Sequence, residues 1–345
     1  MNGVSPAIIA PLLEWFDEGH RILPWRSDPT PYHVWVSEIM LQQTRVEAVR
    51  GYFIRWMKTL PDISSLARAD EACYMKLWEG LGYYSRVRNL HRAAVIVCEQ
   101  YGGELPPDYK QLLSLPGIGD YTAGAISSIA FGLPEPAIDG NVLRVAARLD
   151  NDFTPITDAA HKKNVRERFA ELIPTDRPGD FNQSLMELGA MVCVPNGAPH
   201  CGDCPLLHLC IGYHQGNAAL LPIRAAKKQR KIEQRTILVL RYGELVGLAR
   251  RPDKGLLAGL WEFPALEGHL TPDETRQALS AKNWDIQKIL SLRPAKHIFT
   301  HVEWHMTGYY IELNNQPEEL TWVSPSDLRD TYALPSAFRT FLSVL

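Results

Sequence analysis

The chain has 345 residues, of which 46% are hydrophobic and 22% charged, and its formal net charge at pH 7 is −3. This length favours two domains, and the composition excludes a disordered or fibrous protein. No apolar run approaches the roughly 20 residues that cross a bilayer, and the N-terminus lacks the basic start of a secretory signal. We therefore expect an intracellular protein without a membrane partner, located in the cytoplasm or nucleoid if it is bacterial. The net charge does not decide whether nucleic acid is a partner, because a basic groove can lie on an acidic protein.

The first 223 residues are predicted to form an all-α domain. The segment 32–49 has the pattern of one long amphipathic helix opened by Pro31, and 85–103 that of a helix stopped by glycines. From Arg235 the spacing of hydrophobic residues changes from a helical to a strand-like period. Residues 235–241 and 245–251 flank a turn and predict a β-hairpin, and 302–313 predicts another strand. Residues 235–345 are therefore predicted to be an α+β domain. The basic segment 224–234 between them is interpreted as a solvated linker or as a strap that also touches phosphates.

A helical hairpin is predicted at 112–131, with the turn Leu-Pro-Gly-Ile-Gly and a second helix capped by Asp120. Gly117 and Gly119 let the backbone approach a partner closely, and the helix start offers free N–H groups to a phosphate. Twenty residues later, Asp139 stands just before another predicted helix. An aspartate in this position is usually a cap, and a catalytic carboxylate is the alternative.

Four of the six cysteines fall within 18 residues. In a chain without an export signal, this density predicts a metal site rather than disulfides. Four thiolates suit either zinc or an iron–sulfur cluster, and their spacing leaves both open. The four are Cys193, Cys201, Cys204 and Cys210. The isolated Cys73 and Cys98 are expected to be small buried apolar groups.

The hairpin followed by Asp139 is similar to the helix-hairpin-helix DNA glycosylase superfamily. Within it, the segments 23–26 (LPWR), 35–46 (WVSEIMLQQTRV), 79–90 (EGLGYYSRVRNL), 137–142 (AIDGNV) and 259–264 (GLWEFP) resemble the MutY family of adenine glycosylases. The resemblance implies a helical glycosylase domain followed by a MutT/Nudix-like domain. It also implies a base-excision-repair enzyme, expected to be a monomer, that flips adenine mispaired with 8-oxoguanine or guanine out of double-stranded DNA and hydrolyses its glycosidic bond.

Cleavage of this bond needs one acid for the leaving base and one anion for the oxocarbenium-like sugar. By resemblance Glu38 is the acid and Asp139 the anion, with Asn141 and Tyr121 helping to hold Asp139 and the sugar. The neighbours of Glu38 along its helix are mostly apolar, and burial among them would raise its pKa as a general acid requires. Without the resemblance, Glu38 would be interpreted as a surface glutamate.

The resemblance also assigns residues that handle the bases. Leu41 and Gln43 are expected near the opened site, with Gln43 inserted into the duplex, and Arg26 and Gln183 are expected to line the adenine pocket. Tyr83 is expected to stack beside the opposite base. Core packing or a helix surface is the alternative for Tyr83 and Gln183.

Endonuclease III-like relatives carry a Schiff-base lysine at the position of Tyr121, and the nearby Leu143 is not a lysine either. We therefore expect no strong strand cleavage. An endonuclease III-like glycosylase/lyase and a non-catalytic mismatch-binding protein are the two alternative functions.

The resemblance implies a 4Fe–4S cluster on the four clustered cysteines, although the first spacing is seven residues rather than the usual six. In the second domain, Gly268 and Glu274 have the opening spacing of a Nudix box, but 282–287 lacks the expected glutamates. Pyrophosphate hydrolysis is therefore not expected. The turn Phe299–Thr300–His301, where relatives often have Ser in the middle, is interpreted as the 8-oxoguanine reader, or as a mere strand edge.

Overall fold

A computed structural model describes residues 3–195, 197–224 and 229–345. The described residues divide into two compact units, one of 3–68 with 88–224 and the other of 69–87 with 229–345. The predicted boundary therefore needs one correction: residues 69–87 belong with the second unit. Lys76 Nζ donates to the carbonyl of Tyr332 (3.2 Å), and Glu79 accepts from the backbone N–H of Leu334 (2.8 Å). Such contacts leave no local signal in a sequence.

The first unit is helical, as predicted. Its helices are α1 Ile9–Gly19, α2 Pro24–Ser27, α3 Pro31–Leu41, α4 Val46–Thr59, α5 Ile63–Arg68, α7 Ser85–Gln100 (whose first three residues lie in the second unit), α8 Tyr109–Ser114, α9 Asp120–Phe131, α10 Gly140–Asp150, α11 Ala159–Leu172, α12 Pro178–Met191 and α13 Ile211–His214. Short 3-10 helices occur at Pro6–Ile8, Cys201–Asp203 and Leu207–Leu209.

Two local expectations for this unit are wrong. The segment 32–49 is two helices, α3 and α4, because Gln43 adopts a left-handed conformation (φ 57°) that ends the first. Asp120 does not cap α9, whose N-cap is Gly119. Instead, Asp120 lies in the first turn, and its Oδ1 accepts a hydrogen bond from Tyr109 (2.8 Å).

Close helix contacts fix the elements that carry the candidate catalytic residues. Helices α3 and α9 pack along faces that are buried from Val34 to Met40 and from Thr122 to Ser128. Helix α12 approaches the start of α10 at Gly189, where a Cβ atom would lie 2.6 Å from Cβ of Asn141. Any larger residue at 189 would therefore displace Asn141.

The second unit is α+β, as predicted. Its elements are α6 Glu71–Trp78, β1 Lys231–Tyr242, β2 Leu245–Arg250, β3 Trp261–Glu262, β4 Ala265–Glu267, α14 Pro272–Ser280, β5 Ile286–Ile298, β6 Val302–Leu313, β7 Thr321–Val323, α15 Pro325–Asp330, a 3-10 helix Ser336–Phe338 and α16 Arg339–Leu342. The main strand order is β3-β2-β1-β6-β5, with β4 beside β1 and β7 beside β2.

The sheet has a hydrophobic core on each face. Strand β1 pairs in parallel with β6 and antiparallel with β2, and β5 pairs antiparallel with β6. Alternate residues of β1 enter different cores, with Ile237 and Val239 in one and Leu238 and Leu240 in the other, as the two-residue period of a strand requires. The predicted hairpin and the predicted strand 302–313 are both confirmed.

The interpretations of 224–234 apply in part to residues 225–228, which lie outside the described residues. Strand β1 begins at Lys231, four residues before the predicted domain start. Arg230 Nε donates to the carbonyl of Phe299 (3.1 Å), so this end of the segment lies against the β5–β6 turn. None of the helices in the described part of the chain is long and apolar enough to cross a membrane.

Candidate active site

A cavity of about 640 Å³ in the first unit is lined by segments from α2, α3, α9, α10 and α12. It brings together most of the predicted residues of the glycosylase domain. These are Arg26, Glu38, Leu41, Gln43, Gly119, Tyr121, Asp139, Asn141 and Gln183. Convergence of side chains from several helices into one cavity is the arrangement expected of a binding or catalytic site.

Glu38 is buried on α3, with 6% of its surface exposed. Its pKa is raised to about 7, mainly by burial and also by the nearby Asp139, although a hydrogen bond from Tyr121 and the charge of Arg26 oppose the rise. Tyr121 donates its hydroxyl hydrogen bond to Oε2 of Glu38. A carboxyl group with this pKa holds a proton at neutral pH for a substantial fraction of the time, as a general acid must.

Asp139 is the N-cap of α10, and its environment differs from that of Glu38. Its Oδ1 accepts from the backbone N–H groups of Asn141 and Val142 (2.8 Å each), and its Oδ2 accepts from Nδ2 of Asn141 (2.7 Å). Burial raises the pKa of Asp139 above its usual value, and these hydrogen bonds and the charge of Arg144 counter only part of that rise. Because all three donors are N–H groups, they favour the ionised carboxylate.

Arg144 supports this arrangement, although the sequence analysis did not identify it. Its Nη2 donates to Oδ1 of Asn141 (2.8 Å) and to the carbonyl of Gly189 (2.6 Å), and its Nε donates to the carbonyl of Cys193 (2.7 Å). Arg144 is 3% exposed. The available signal was an arginine one helical turn after Asn141, on the apolar face of α10.

Two further charged residues line the cavity and were also missed. Glu187 accepts hydrogen bonds from Arg21 and from Arg26, and all three side chains reach the cavity. Gln183 lies four residues before Glu187 on α12, which places both on one face of the helix. This spacing was the signal that could have identified Glu187.

The helical hairpin lies where it was predicted, between α8 and α9. Its turn is anchored by Leu115 and Ile118, which are 3% and 5% exposed. Gly117 has φ 80°, and a Cβ atom there would lie 2.7 Å from Cβ of Asn89. Gly119 precedes the first turn of α9 and leaves its N–H groups without a side-chain cap. This geometry suits a backbone phosphate.

The four clustered cysteines line a common small cavity together with Arg148. Arg148 Nη1 donates to Sγ of Cys193 (3.2 Å), and burial raises the pKa of Cys204 to about 12, with the neighbouring thiols adding to the rise. Among the described residues, no three His, Cys, Asp or Glu side chains form a set that could hold one metal ion. Four thiol side chains around one cavity are a donor set that suits either zinc or an iron–sulfur cluster.

The remaining predicted residues lie in the second unit. The side chains of Tyr83 and Thr300 meet through their hydroxyl groups, 2.9 Å apart. Tyr83 is 45% exposed and has φ 48°. Phe299 packs edge-on against Trp304 (ring centroids 4.8 Å apart), and the carbonyl of His301 accepts from the backbone N–H of Lys231 (3.1 Å). The turn 299–301 is therefore anchored on both sides of Thr300.

Two family models match the chain. Residues 36–175 match the HhH-GPD superfamily of base excision DNA repair proteins, and residues 236–344 match the NUDIX domain. A mouse (Mus musculus) adenine DNA glycosylase is 36% identical over 96% of this chain and 77% of its own length. The chain belongs to the adenine DNA glycosylase family. The family resemblance inferred from the sequence motifs is thereby confirmed, and the protein is a DNA glycosylase of base excision repair.

Other adenine DNA glycosylases extend the match to distant organisms. The relative from Schizosaccharomyces pombe is 32% identical over 92% of this chain and 85% of its own length. The relative from the bacterium Buchnera aphidicola subsp. Baizongia pistaciae is 33% identical over 88% of this chain and 85% of its own length. Both match across most of the two units of this glycosylase.

Solved structures match the helical part of this adenine DNA glycosylase. A thermostable thymine-DNA glycosylase has a TM-score of 0.54 and 26% identity, covering 61% of this chain and 96% of that one. A trapped endonuclease III–DNA covalent intermediate has a TM-score of 0.53 and 25% identity, covering 61% and 95%. The helix-hairpin-helix fold predicted for the first unit is confirmed.

Proposed function

We propose that this glycosylase excises adenine mispaired with 8-oxoguanine or guanine, with Glu38 as general acid and Asp139 as the stabiliser of the sugar cation. The observation that carries the proposal is the pair of unlike carboxyl groups in one cavity. Glu38 has a pKa of about 7, whereas Asp139 accepts three N–H hydrogen bonds that favour its anion. One proton donor and one anion are what cleavage of a glycosidic bond requires.

In this mechanism the adenine leaves the base stack and enters the cavity of about 640 Å³. Glu38 gives its proton to a ring nitrogen, and the electron pair of the glycosidic bond departs with the base. The carboxylate of Asp139 stabilises the positive charge that develops on the sugar. Water then adds to the sugar carbon and loses a proton, which leaves an abasic site.

Several cavity residues are proposed to handle the base. Arg26 donates hydrogen bonds, and Gln183 both donates and accepts, so together they suit the mixed edge of adenine. Leu41 and Gln43 line the cavity where α3 ends, and Gln43 has a left-handed backbone conformation. We assign Gln43 to the space that the extruded adenine leaves in the duplex.

The cavity that holds Glu38 has no lysine among its described lining residues. The hydroxyl of Tyr121, at the position of the Schiff-base lysine in endonuclease III-like enzymes, is hydrogen-bonded to Glu38. These observations favour excision without strand cleavage. Lys162 and Lys163 line an adjoining cavity that Asp139 also borders, so an assay without alkali tests lysine chemistry directly.

We also propose that Cys193, Cys201, Cys204 and Cys210 hold a 4Fe–4S cluster. The shared cavity and the all-thiol donor set support this assignment. A bound cluster would supply positive charge that stabilises the thiolates. It would also tie the loop that follows α12 to α10, because Arg144 and Arg148 both bond to Cys193.

The test of the proposed reaction uses duplexes with adenine opposite 8-oxoguanine, in single-turnover assays with and without hot alkali. The native enzyme should give strand breaks after alkali. Glu38→Gln should slow excision about 10²–10⁴-fold, the contribution typical of a general acid, and should keep duplex binding. Glu171→Gln, an exposed glutamate on α11, is the matched control and should behave as native.

Three results would contradict this proposal. A near-native excision rate for Glu38→Gln would remove Glu38 as the acid. Strand breaks without alkali would indicate the glycosylase/lyase alternative. Tight binding without breaks in the native protein would indicate a mismatch-binding protein.

A further inference from the structure

The most buried ionised carboxylate of the cavity lies outside the pair of catalytic candidates. Glu187, on α12, has 2% of its side chain exposed. Arg21 donates to it through the backbone N–H (3.1 Å), Nε (2.6 Å) and Nη2 (2.9 Å), and Arg26 donates through Nη2 (3.0 Å). Burial alone would raise the pKa of Glu187, but the hydrogen bonds and charges of the two arginines lower it below its usual value. Glu187 is therefore ionised at neutral pH.

These contacts fix the guanidinium of Arg26 at the edge of the cavity. In addition to the bond from Nη2 to Glu187, Nη1 of Arg26 donates to the carbonyl of Arg21 (3.1 Å). The guanidinium also lies 5.6 Å from the centroid of the Phe16 ring. The side chain of Arg26 remains 14% exposed and lines the cavity into which the adenine is proposed to enter. A charged group that is held from three sides approaches a ligand with little loss of side-chain entropy.

Arg26 is part of the electrostatic environment of Glu38, and Arg21 and Glu187 line the same cavity. Arg21 and Arg26 contribute two positive charges and Glu187 one negative charge, which leaves a net charge of +1. The other titratable groups that line this cavity are Asp120, Tyr121 and Asp139, and Glu47 on α4 also acts on Arg21. Arg26 lowers the pKa of Glu38, which opposes protonation of the acid. A carboxylate bonded to both arginines reduces this opposition.

We propose that Glu187 is a positioning residue for base excision: it holds Arg26 in the adenine pocket and offsets the arginine charges so that Glu38 keeps its proton. This inference rests on the proposed roles of Glu38 and Arg26. It assigns a function to Glu187 and Arg21, which the proposed mechanism does not otherwise use.

The test is the pH profile of single-turnover adenine excision by the full-length enzyme between pH 5.5 and 8.5. Glu187→Gln leaves the pair of arginines uncompensated, so the alkaline limb should move to lower pH. A shift of about one pH unit makes excision roughly tenfold slower at pH 8 and less than about twofold slower at pH 5.5. Arg21→Gln removes one positive charge and should move the limb in the opposite direction.

A charge-compensated variant separates this role from simple packing. Arg21→Gln combined with Glu187→Gln restores the net charge of +1 and should bring the limb back toward its native position. Asp17→Asn, which also removes a carboxylate bonded to an arginine (Arg177) but lies outside the cavity, should keep the native limb. Glu187→Asp keeps the charge with a shorter reach, so the limb should stay in place while the rate falls at every pH.

Opposite shifts for the two single variants would support the proposal. Equal rate losses at all pH values in Glu187→Gln and Arg21→Gln would overturn it, because they indicate a purely structural cluster. If Glu187→Gln does not fold, as judged by thermal denaturation, the pH profile of Arg21→Gln alone is the test. An alkaline limb of that profile at the native position overturns the proposal. If instead the native enzyme excises no adenine, the proposed function fails, which is a different result.

Discussion

At the scale of single residues, the two candidate catalytic carboxyl groups, Glu38 and Asp139, differ in their hydrogen-bond donors. Glu38 accepts from one phenol, whereas Asp139 accepts from three N–H groups at the start of α10. The N-cap hydrogen bonds by which Asp139 stabilises the first turn of α10 are thus the same bonds that favour its ionised carboxylate. Asp139 therefore has a structural role whether or not a base is bound.

The raised pKa of Glu38 has a cost in stability that can be measured. Its pKa is about 7 in the folded protein, against a usual value of 4.5. Between these values the folded state binds more protons than the unfolded state, so the stabilising contribution of the protonated group is present below pH 4.5 and lost as the pH rises through 7. Glu38→Gln has no such proton and keeps the acceptor for Tyr121.

We therefore expect Glu38→Gln to be more stable than the native protein above pH 7, by up to about 3 kcal/mol in the free energy of unfolding. The difference should shrink toward pH 4.5. Urea unfolding at several pH values measures it, with Glu171→Gln as the control that follows the native curve. Parallel curves for native protein and Glu38→Gln would show that Glu38 titrates normally in the folded state.

The sequence predicted these residues to different extents. The burial of Glu38 was predictable only with the family resemblance, because its helical neighbours alone also allow a surface glutamate. The capping role of Asp139 was predictable because Asp-Gly precedes a helix. The contacts of Arg144 and Glu187 were not predictable. Arg144 joins residues 45 or more positions apart, and Glu187 joins residues more than 160 positions apart, so no local pattern records them.

At the scale of elements, the site depends on the starts of two helices. Gly119 opens α9 and Asp139 opens α10, and both residues line the same cavity. The hairpin was predictable from Leu-Pro-Gly-Ile-Gly, since apolar residues anchor the turn and glycines allow it. The break between α3 and α4 was not predictable, because Gln43 is not a glycine and yet has a left-handed backbone conformation.

Gly117→Ala should weaken the binding of duplex DNA by the hairpin. The residue has φ 80°, and the new Cβ would lie 2.7 Å from Cβ of Asn89, so the turn must shift. We expect duplex affinity to fall about tenfold, as loss of well-placed backbone phosphate contacts weakens DNA binding. Fluorescence anisotropy in the Glu38→Gln background measures this without consuming the adenine.

Gly132→Ala is the matched control for that experiment. Gly132 ends α9 with φ 65°, and a Cβ there meets nothing within 4 Å. Its substitution should cost about 1 kcal/mol of stability, as for any left-handed alanine, and leave affinity unchanged. Equal affinity losses in the two variants would mean that Gly117 acts through general stability rather than through the turn.

At the scale of the whole molecule, the candidate functional residues are distributed over the two units. The cavity with Glu38 and Asp139 belongs to the first unit, and the Tyr83–Thr300 pair belongs to the second. The two-domain order and the strands were predictable from the change of hydrophobic period. That residues 69–87 pack with the second unit was not predictable, because the sequence pattern of α6 indicates a helix but not the residues against which that helix packs.

This division predicts that Thr300 affects the choice of the opposite base and not the chemistry. Thr300→Val keeps the shape of the side chain and removes the hydroxyl that meets Tyr83 (2.9 Å). Loss of one such hydrogen bond is worth about 1 kcal/mol, so the preference for adenine opposite 8-oxoguanine over adenine opposite guanine should fall roughly 3- to 10-fold. Single-turnover rates on the two duplexes at subsaturating enzyme give this ratio.

Because the hydrogen bond has two ends, Tyr83→Phe should lower the ratio by a similar factor, and the double variant should lower it little further. The rate on adenine opposite guanine should stay near native in all three variants, since their changes lie outside the cavity of Glu38 and Asp139. Thr331→Val, an exposed threonine of the second unit, serves as the control. Additive losses would show that the two hydroxyl groups act separately, and an unchanged ratio would make the turn a strand edge without a role in recognition.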